Sequence, residues 1–234
     1  MESRRRVKEQ QKRVGAMEFR NTHFSYTMGE SGVEQFVTTP EPDEIGTDPL
    51  PPGQVWAISP GGDGEHPGLF RIEVTVGPGS GVRILNQPAP VPFRESAKIA
   101  ERNLLVRTPE LVGDHFHRDP RQHEFNVQMR AFDSARSGAG VGLPVLLALA
   151  SALAEKGLRG GLIAIGGLNL GGGMETVPNA VSAAELAAEK GASTLLAPIS
   201  ARRQLSELSD DIATKVSVLY YADAREALAK ALGD

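Results

Sequence analysis

The chain has no cysteine among its 234 residues. That absence excludes a disulfide scaffold, a thiolate zinc site, an iron–sulfur cluster and a cysteine nucleophile together, and it fits a reducing compartment. Aromatic residues are scarce, at 5%, with a single tryptophan, Trp56, which reads as a core or sheet-edge residue. No secretory leader is expected, because Met1 runs into Glu2, Arg4, Arg5 and Arg6 with no apolar stretch behind them. The longest mostly apolar run, residues 138–154, holds Pro144 and falls short of the ~18 residues expected of a membrane span. A buried helix, a cytoplasmic protein and no membrane partner are the expectations.

What is present is enough for a folded domain. Hydrophobic residues make up 40% of the chain, while 26 glycines and 16 prolines stay well below a low-complexity share. The net charge of −4 is uneven: residues 1–13 hold six basic and two acidic side chains, so the rest of the chain carries −8. An acidic body lacks the clustered Lys and Arg that neutralise phosphates, which argues against broad DNA binding by this portion. The basic run at the front reads as a solvated helix or the end of a linker.

Periodicity orders the elements. Residues 1–16 read as a charged helix stopped at Gly15, followed by strands over 18–26 and 34–38 and a proline-rich surface loop over 39–53. Strands are expected at 54–59 and 68–76, and the turn at 77–81 predicts a hairpin into a strand at 82–85. A helix over 92–108, an irregular stretch over 109–122 and an alternating strand over 123–133 come next. Beyond them lie a glycine loop, the long apolar helix, a buried strand at 162–165 and a second glycine loop at 166–173. Helices at 181–190, 200–209 and 222–232 then alternate with strands at 194–197 and 216–221. This order predicts an α/β (α+β) fold, a mixed sheet covered by helices with a β-rich N-terminal half.

Three sets of residues invite a chemical reading. Strand, glycine loop and helix over 131–153 have the layout of a phosphate-binding turn. The spacing of Gly138, Gly140 and Gly142 is wrong for a dinucleotide loop, and no Lys-Ser/Thr pair follows, so tight packing is the simpler account. His115, His117 and His123, with Asp114 and Asp119 nearby, could hold a metal, but Pro120 and polar neighbours place them in a loop. Ser137 precedes a helix N-terminus, where a serine is either a cap or, given a base, a nucleophile.

Residues 68–99 (GLFRIEVTVGPGSGVRILNQPAPVPFRESAKI) resemble the opening of the Lon protease proteolytic domain: a strand, a P-G-x-G turn, a second strand, and a helix marked here by Arg94-Glu95-Ser96-Ala97. R-S-G-A-G-V-G-L falls where that family has its G-P-S-A-G nucleophile loop, and residues 166–198 resemble its glycine turn, helix and Leu-x-Pro ending. The resemblance covers roughly residues 53–234. The opening RRRVKEQQKRVGAMEF, HFSY at 23–26 and the closing YADAREALAKALG are similar to the Lon-related proteins of bacterial BREX phage-defence systems.

The resemblance implies a Lon-like domain over 18–234 and a charged extension over 1–17 leading from an AAA+ ATPase module. The chain has no Walker motif, so ATP and Mg are expected only in that module and no cofactor is expected here. It also implies a homo-oligomer of ring type, and DNA as a partner through the full-length protein. Lon enzymes use a serine–lysine dyad; here the serine position falls on Gly138, with Ser137 one residue early, and the lysine position on Val181. Lys156 and Lys190 fall at helix ends in polar company, a poor setting for a general base. The leading expectation is a non-catalytic domain that supplies assembly contacts. The alternatives are an active peptidase using Ser137, and a nucleotide or small-molecule binder using the 138–142 loop.

Overall fold

The computed structural model describes residues 24–28, 34–38, 45–61, 66–86, 88–112, 118–133 and 137–232. The chain divides into two units, Met1–Glu44 and Ile45–Asp234. In the first, β1 (Phe24–Met28) and β2 (Glu34–Thr38) pair antiparallel with Tyr26 opposite Phe36. The helix expected over 1–16 lies outside the described residues.

The second unit is built on a mixed sheet. Its strands are β3 (Gln54–Ser59), β4 (Gly68–Pro78), β5 (Gly81–Ile84), β6 (His123–Ala131), β7 (Leu162–Ala164), β8 (Thr194–Pro198) and β9 (Ser217–Tyr221), arranged β5-β6-β4-β3-β7-β8-β9. Strand β4 runs antiparallel to both β6 and β3, β5 runs parallel to β6, and β3, β7, β8 and β9 are mutually parallel. Period-two alternation sets the faces. Phe70, Ile72 and Val74 of β4 align with Ala131, Met129 and Val127 of β6 on one face, and Arg71, Glu73 and Thr75 point to the other.

Helices cover both faces. α1 (Val91–Val112), α2 (Gly142–Ala154) and, at the chain's end, α6 (Ala224–Leu232) share one core with Val55, Ala57, Phe70, Ile72, Phe125 and Val127. α2 is buried from Gly142 to Leu153, as a helix apolar all round must be. On the opposite face α3 (Ala180–Glu189) and α4 (Arg202–Leu205) pack near Ile58, Leu69, Ile163 and Leu195, with the small residues Ala180, Ala183, Ala184 and Ala187 of α3 in that core, and α5 (Asp210–Lys215) lies against α3. Beside it, Trp56 meets Phe132 edge-on at 4.8 Å and lies under the Arg71 guanidinium at 5.4 Å. The mixed sheet, the helical cover and the β-rich front half agree with the fold class read from the sequence.

Three local expectations change. The hairpin expected across 77–81 does not form, because β6 inserts between the two strands: β4 pairs with β6 antiparallel and β5 pairs with it in parallel. The turn arches over the start of β6 through Gly79 (φ +139) and Gly81 (φ +90), with Gly79 close to Glu124. The helix expected to stop at 108 continues through Pro109 to Val112. Proline leaves the carbonyl four residues back without its helical donor, and Arg121 Nη2 supplies one to Leu105 O at 3.0 Å. The single helix expected over 200–209 is instead a 3-10 turn, the short α4, and a separate α5 that starts after Ser209 with Asp210 and Asp211 in its first turn.

Tyr221 ties β9 to β7. It is fully buried, and its hydroxyl donates to Ile165 O at 2.7 Å. Burial pushes the phenol far above its ordinary value of 10.0. The folded state therefore holds this proton more tightly than the unfolded chain, so the associated stability is complete below pH 10 and is lost as pH rises beyond it. Tyr221→Phe should cost about 1–3 kcal/mol at neutral pH by leaving Ile165 O unpaired. It should also flatten the alkaline limb, which falls by ~1.4 kcal/mol per pH unit while the phenol is linked. Urea unfolding at pH 8 and pH 11 checks both; an unchanged alkaline slope would show that other groups govern it.

Candidate functional site

The loop between β6 and α2 is held from several sides. Ser59, at the end of β3, donates its hydroxyl to Ala139 O at 2.7 Å. Gly140 (φ +69) lies against Pro60, and Gly138 (φ +59) against Met129 and Phe93. Met129 is itself anchored on both sides. It pairs with Ile72 in β4, and Asn86 exchanges two hydrogen bonds with its backbone, Nδ2 to Met129 O at 2.8 Å and Met129 N to Oδ1 at 2.7 Å.

Position 138 is crowded on its Cβ side. A Cβ there would lie 2.6 Å from Met129 Sδ, so the end of that flexible side chain would have to turn aside, and 3.3 Å from Phe93 Cβ. The left-handed backbone adds ~1–2 kcal/mol for any residue with a side chain. Ser137, one residue earlier, is half-buried.

The first turn of α2 offers little to an anion. Leu143 N–H donates to Gly166 O at 3.1 Å, and Pro144 has no N–H. Gly142 is so close to the second glycine loop that a methyl group there would sit 3.0 Å from Leu168 N. Val141, Gly142 and Leu143 are buried. Backbone of the loop after β7 thus takes the Leu143 amide, one of those that a phosphate or an oxyanion would need from a helix N-terminus.

At the head of α3, Asn179 turns the chain in the left-handed conformation (φ 51), and Gln204 of α4 caps the helix. Gln204 Oε1 accepts from Ala180 N and its Nε2 donates to Val177 O, each at 3.0 Å. Val181 follows in the first turn, half-buried, with neither a proton nor a lone pair to offer. The two lysines weighed as bases sit at the wrong ends. Lys156 is exposed beyond the C-terminal end of α2, whose 13 residues span about 20 Å at ~1.5 Å per residue. Lys190 caps the C-terminal end of α3, whose 10 residues place it about 15 Å from the end that carries Val181.

Asp114, His115 and His117 lie outside the described residues. His123 opens β6 with Nδ1 2.8 Å from Asp119 O, and the Asp119 carboxylate accepts from Arg121 N at 2.9 Å to cap a 3-10 turn. Among the described residues, no three His, Asp or Glu side chains gather as a metal site requires. No helix among them is long and apolar enough to cross a membrane. Sequence reasoning did not find the residues that close the site, Met129, Phe93 and the Gly166 carbonyl. Only the glycine at 138 itself marked the position.

Together, the mixed sheet, the glycine loop entering a buried helix and the second glycine loop entering α3 define an α/β domain, an arrangement consistent with a Lon-like domain. No family model matches the chain. It is, however, 30% identical over 244 residues to the Lon-like protease BrxL of Escherichia coli O9:H4 (strain HS), an alignment covering 100% of this chain and 34% of that protein. It is 25% identical over 238 residues to the Lon-like protease BrxL of Bacillus cereus (strain H3081.97), covering 98% of this chain and 34% of that protein. The chain spans about a third of the length of the curated relatives it matches. The resemblance read from its motifs is borne out: from end to end the chain is similar to part of a BrxL-type Lon-like protein.

Proposed function

We propose that the chain is the C-terminal Lon-like domain of an AAA+-linked phage-defence protein of the BREX type, that it lacks a serine–lysine dyad, and that it serves assembly in a ring of copies. The observation that carries this reading is position 138, where a glycine with no nucleophile to offer stands on a left-handed backbone with the end of the Met129 side chain against it. Val181 at the head of α3 completes it, because a valine cannot take a proton. In this reading residues 1–17 are the charged extension toward the ATPase module. ATP and Mg belong to that module, DNA is engaged through the longer protein, and the protein works in the cytoplasm.

The peptidase alternative needs a lysine amine within hydrogen-bond reach of the Ser137 hydroxyl, and Lys156 and Lys190 stand at the far ends of their helices. The nucleotide alternative needs free amides at the start of α2, and Gly166 O takes the one from Leu143. A fluorophosphonate probe is expected to leave the chain unlabelled, and casein uncut. Labelling that disappears in Ser137→Ala would overturn the reading. The same preparation is expected to sediment as more than one copy, and a monomer at every concentration would remove the assembly role.

A further inference from the structure

Residues 45–53 form no strand and include Pro49, Pro51 and Pro52, yet they are fastened at both ends. At the near end Ile45 is buried, and its N–H donates to Lys190 O, just past α3, at 2.9 Å. Gly46 O accepts from Gly161 N at 2.9 Å. At the far end Gly53 N–H donates to Ser151 Oγ at 2.9 Å, and the Ser151 hydroxyl donates to Lys156 O at 2.5 Å, closing the last turn of α2. Gly53 O accepts from Val74 N of β4 at 2.8 Å.

Between these anchors the backbone rests on glycines. A methyl group at position 160 would sit 1.8 Å from Thr47 O, and one at position 157 would sit 2.5 Å from Leu50 O. The side chains of Thr47, Asp48, Pro49, Pro51 and Pro52 are exposed. What had read as part of a surface loop over 39–53 is therefore exposed in its side chains and locked in its backbone.

We propose that residues 45–53 are a one-piece strap that couples the C-terminal end of α3 to the C-terminal end of α2. Three prolines fix φ along the span and leave it little freedom to slacken. One anchor cannot open while the other holds unless this stiff span bends off its glycine floor. Ser151 and Lys190 stand at the ends of the two helices whose opposite ends carry the 137–138 loop and Val181. A displacement at Ile45 meets the end of α3 through Lys190, and one at Gly53 meets α2 through Ser151 and β4 through Val74. The coupling rests on backbone contacts and the Ser151 hydroxyl, and it holds whether or not the domain has peptidase chemistry.

Amide hydrogen exchange on the whole chain tests it, because a change at one anchor must be read at the other. Ser151→Ala removes the acceptor at the far end. Ile45 and Gly161 N–H, at the near end, are expected to exchange at least about tenfold faster together with Gly53, while β6 and β8 stay within about twofold. Acceleration of Gly53 alone, or an equal acceleration of β6, would overturn the strap. Gly160→Ala lifts the middle of the span and is expected to release all three amides together. Release of Ile45 and Gly161 with Gly53 still protected would likewise overturn it. Should Gly160→Ala not fold, the Ser151→Ala arm decides.

Discussion

Phe93→Ala is expected to lower the stability of the domain by about 3–5 kcal/mol, the cost of truncating a fully buried aromatic ring. Phe93 has 0% exposure and lies in the first turn of α1, in the core shared with α2 and the sheet. The truncation removes the ring from that core but keeps Phe93 Cβ, the atom 3.3 Å from the Cβ direction of position 138. For a body of this size each kcal/mol moves Tm by about 2–4 °C, so a fall of roughly 10 °C is expected. Phe93→Leu, which keeps most of the volume, should cost about 1.5 kcal/mol or less. Thermal unfolding of the two variants side by side checks this. Equal losses would show that α1 is held by something other than the ring.

Gly53→Ala should cost about 2–5 kcal/mol, combining a left-handed backbone with a steric collision. Gly53 has φ +84, and a methyl group there would sit 2.2 Å from Val74 O and 3.1 Å from Ala152 Cβ. The oxygen belongs to the β4 backbone, which is paired with β3 and β6 and cannot retreat. Gly46→Ala is the matched control. It lies in the same segment with nothing within 4 Å of its Cβ direction, and an exposed substitution there should stay within about 0.5 kcal/mol. Chemical denaturation of both variants gives the comparison. Similar losses would mean that the segment is sensitive to any substitution, and the close approach at Gly53 would not be the cause.

Much of the architecture was legible because it depends on short-range pattern. The alternation in residues 68–76 and 123–131 places Phe70, Ile72, Val127 and Met129 on one face whatever the strands pair with, and the apolar run after Gly142 has to be buried. The errors fell where distant chain intervened. Two strands joined by Pro78-Gly79-Ser80-Gly81 would pair with each other if β6 did not insert between them. A proline ends a helix unless a donor such as Arg121 reaches the carbonyl it orphans.

The candidate site divides in the same way. That positions 138 and 181 carry a glycine and a valine is a matter of composition, and the serine–lysine chemistry was already doubtful on those two identities. Whether a side chain could be accommodated at 138 depended on Met129 and Phe93, nine residues before it and on another element altogether. Whether α2's amides were open to an anion depended on Gly166 O, from a loop that follows the helix. The strap shows the same limit most sharply, since three prolines between acidic residues and a strand read as solvent-facing chain. Side-chain pattern reports which residues seek water or the core. It is silent about backbone hydrogen bonds such as Ile45 N–H to Lys190 O, which form only when segments far apart in the chain are brought within 3 Å of each other.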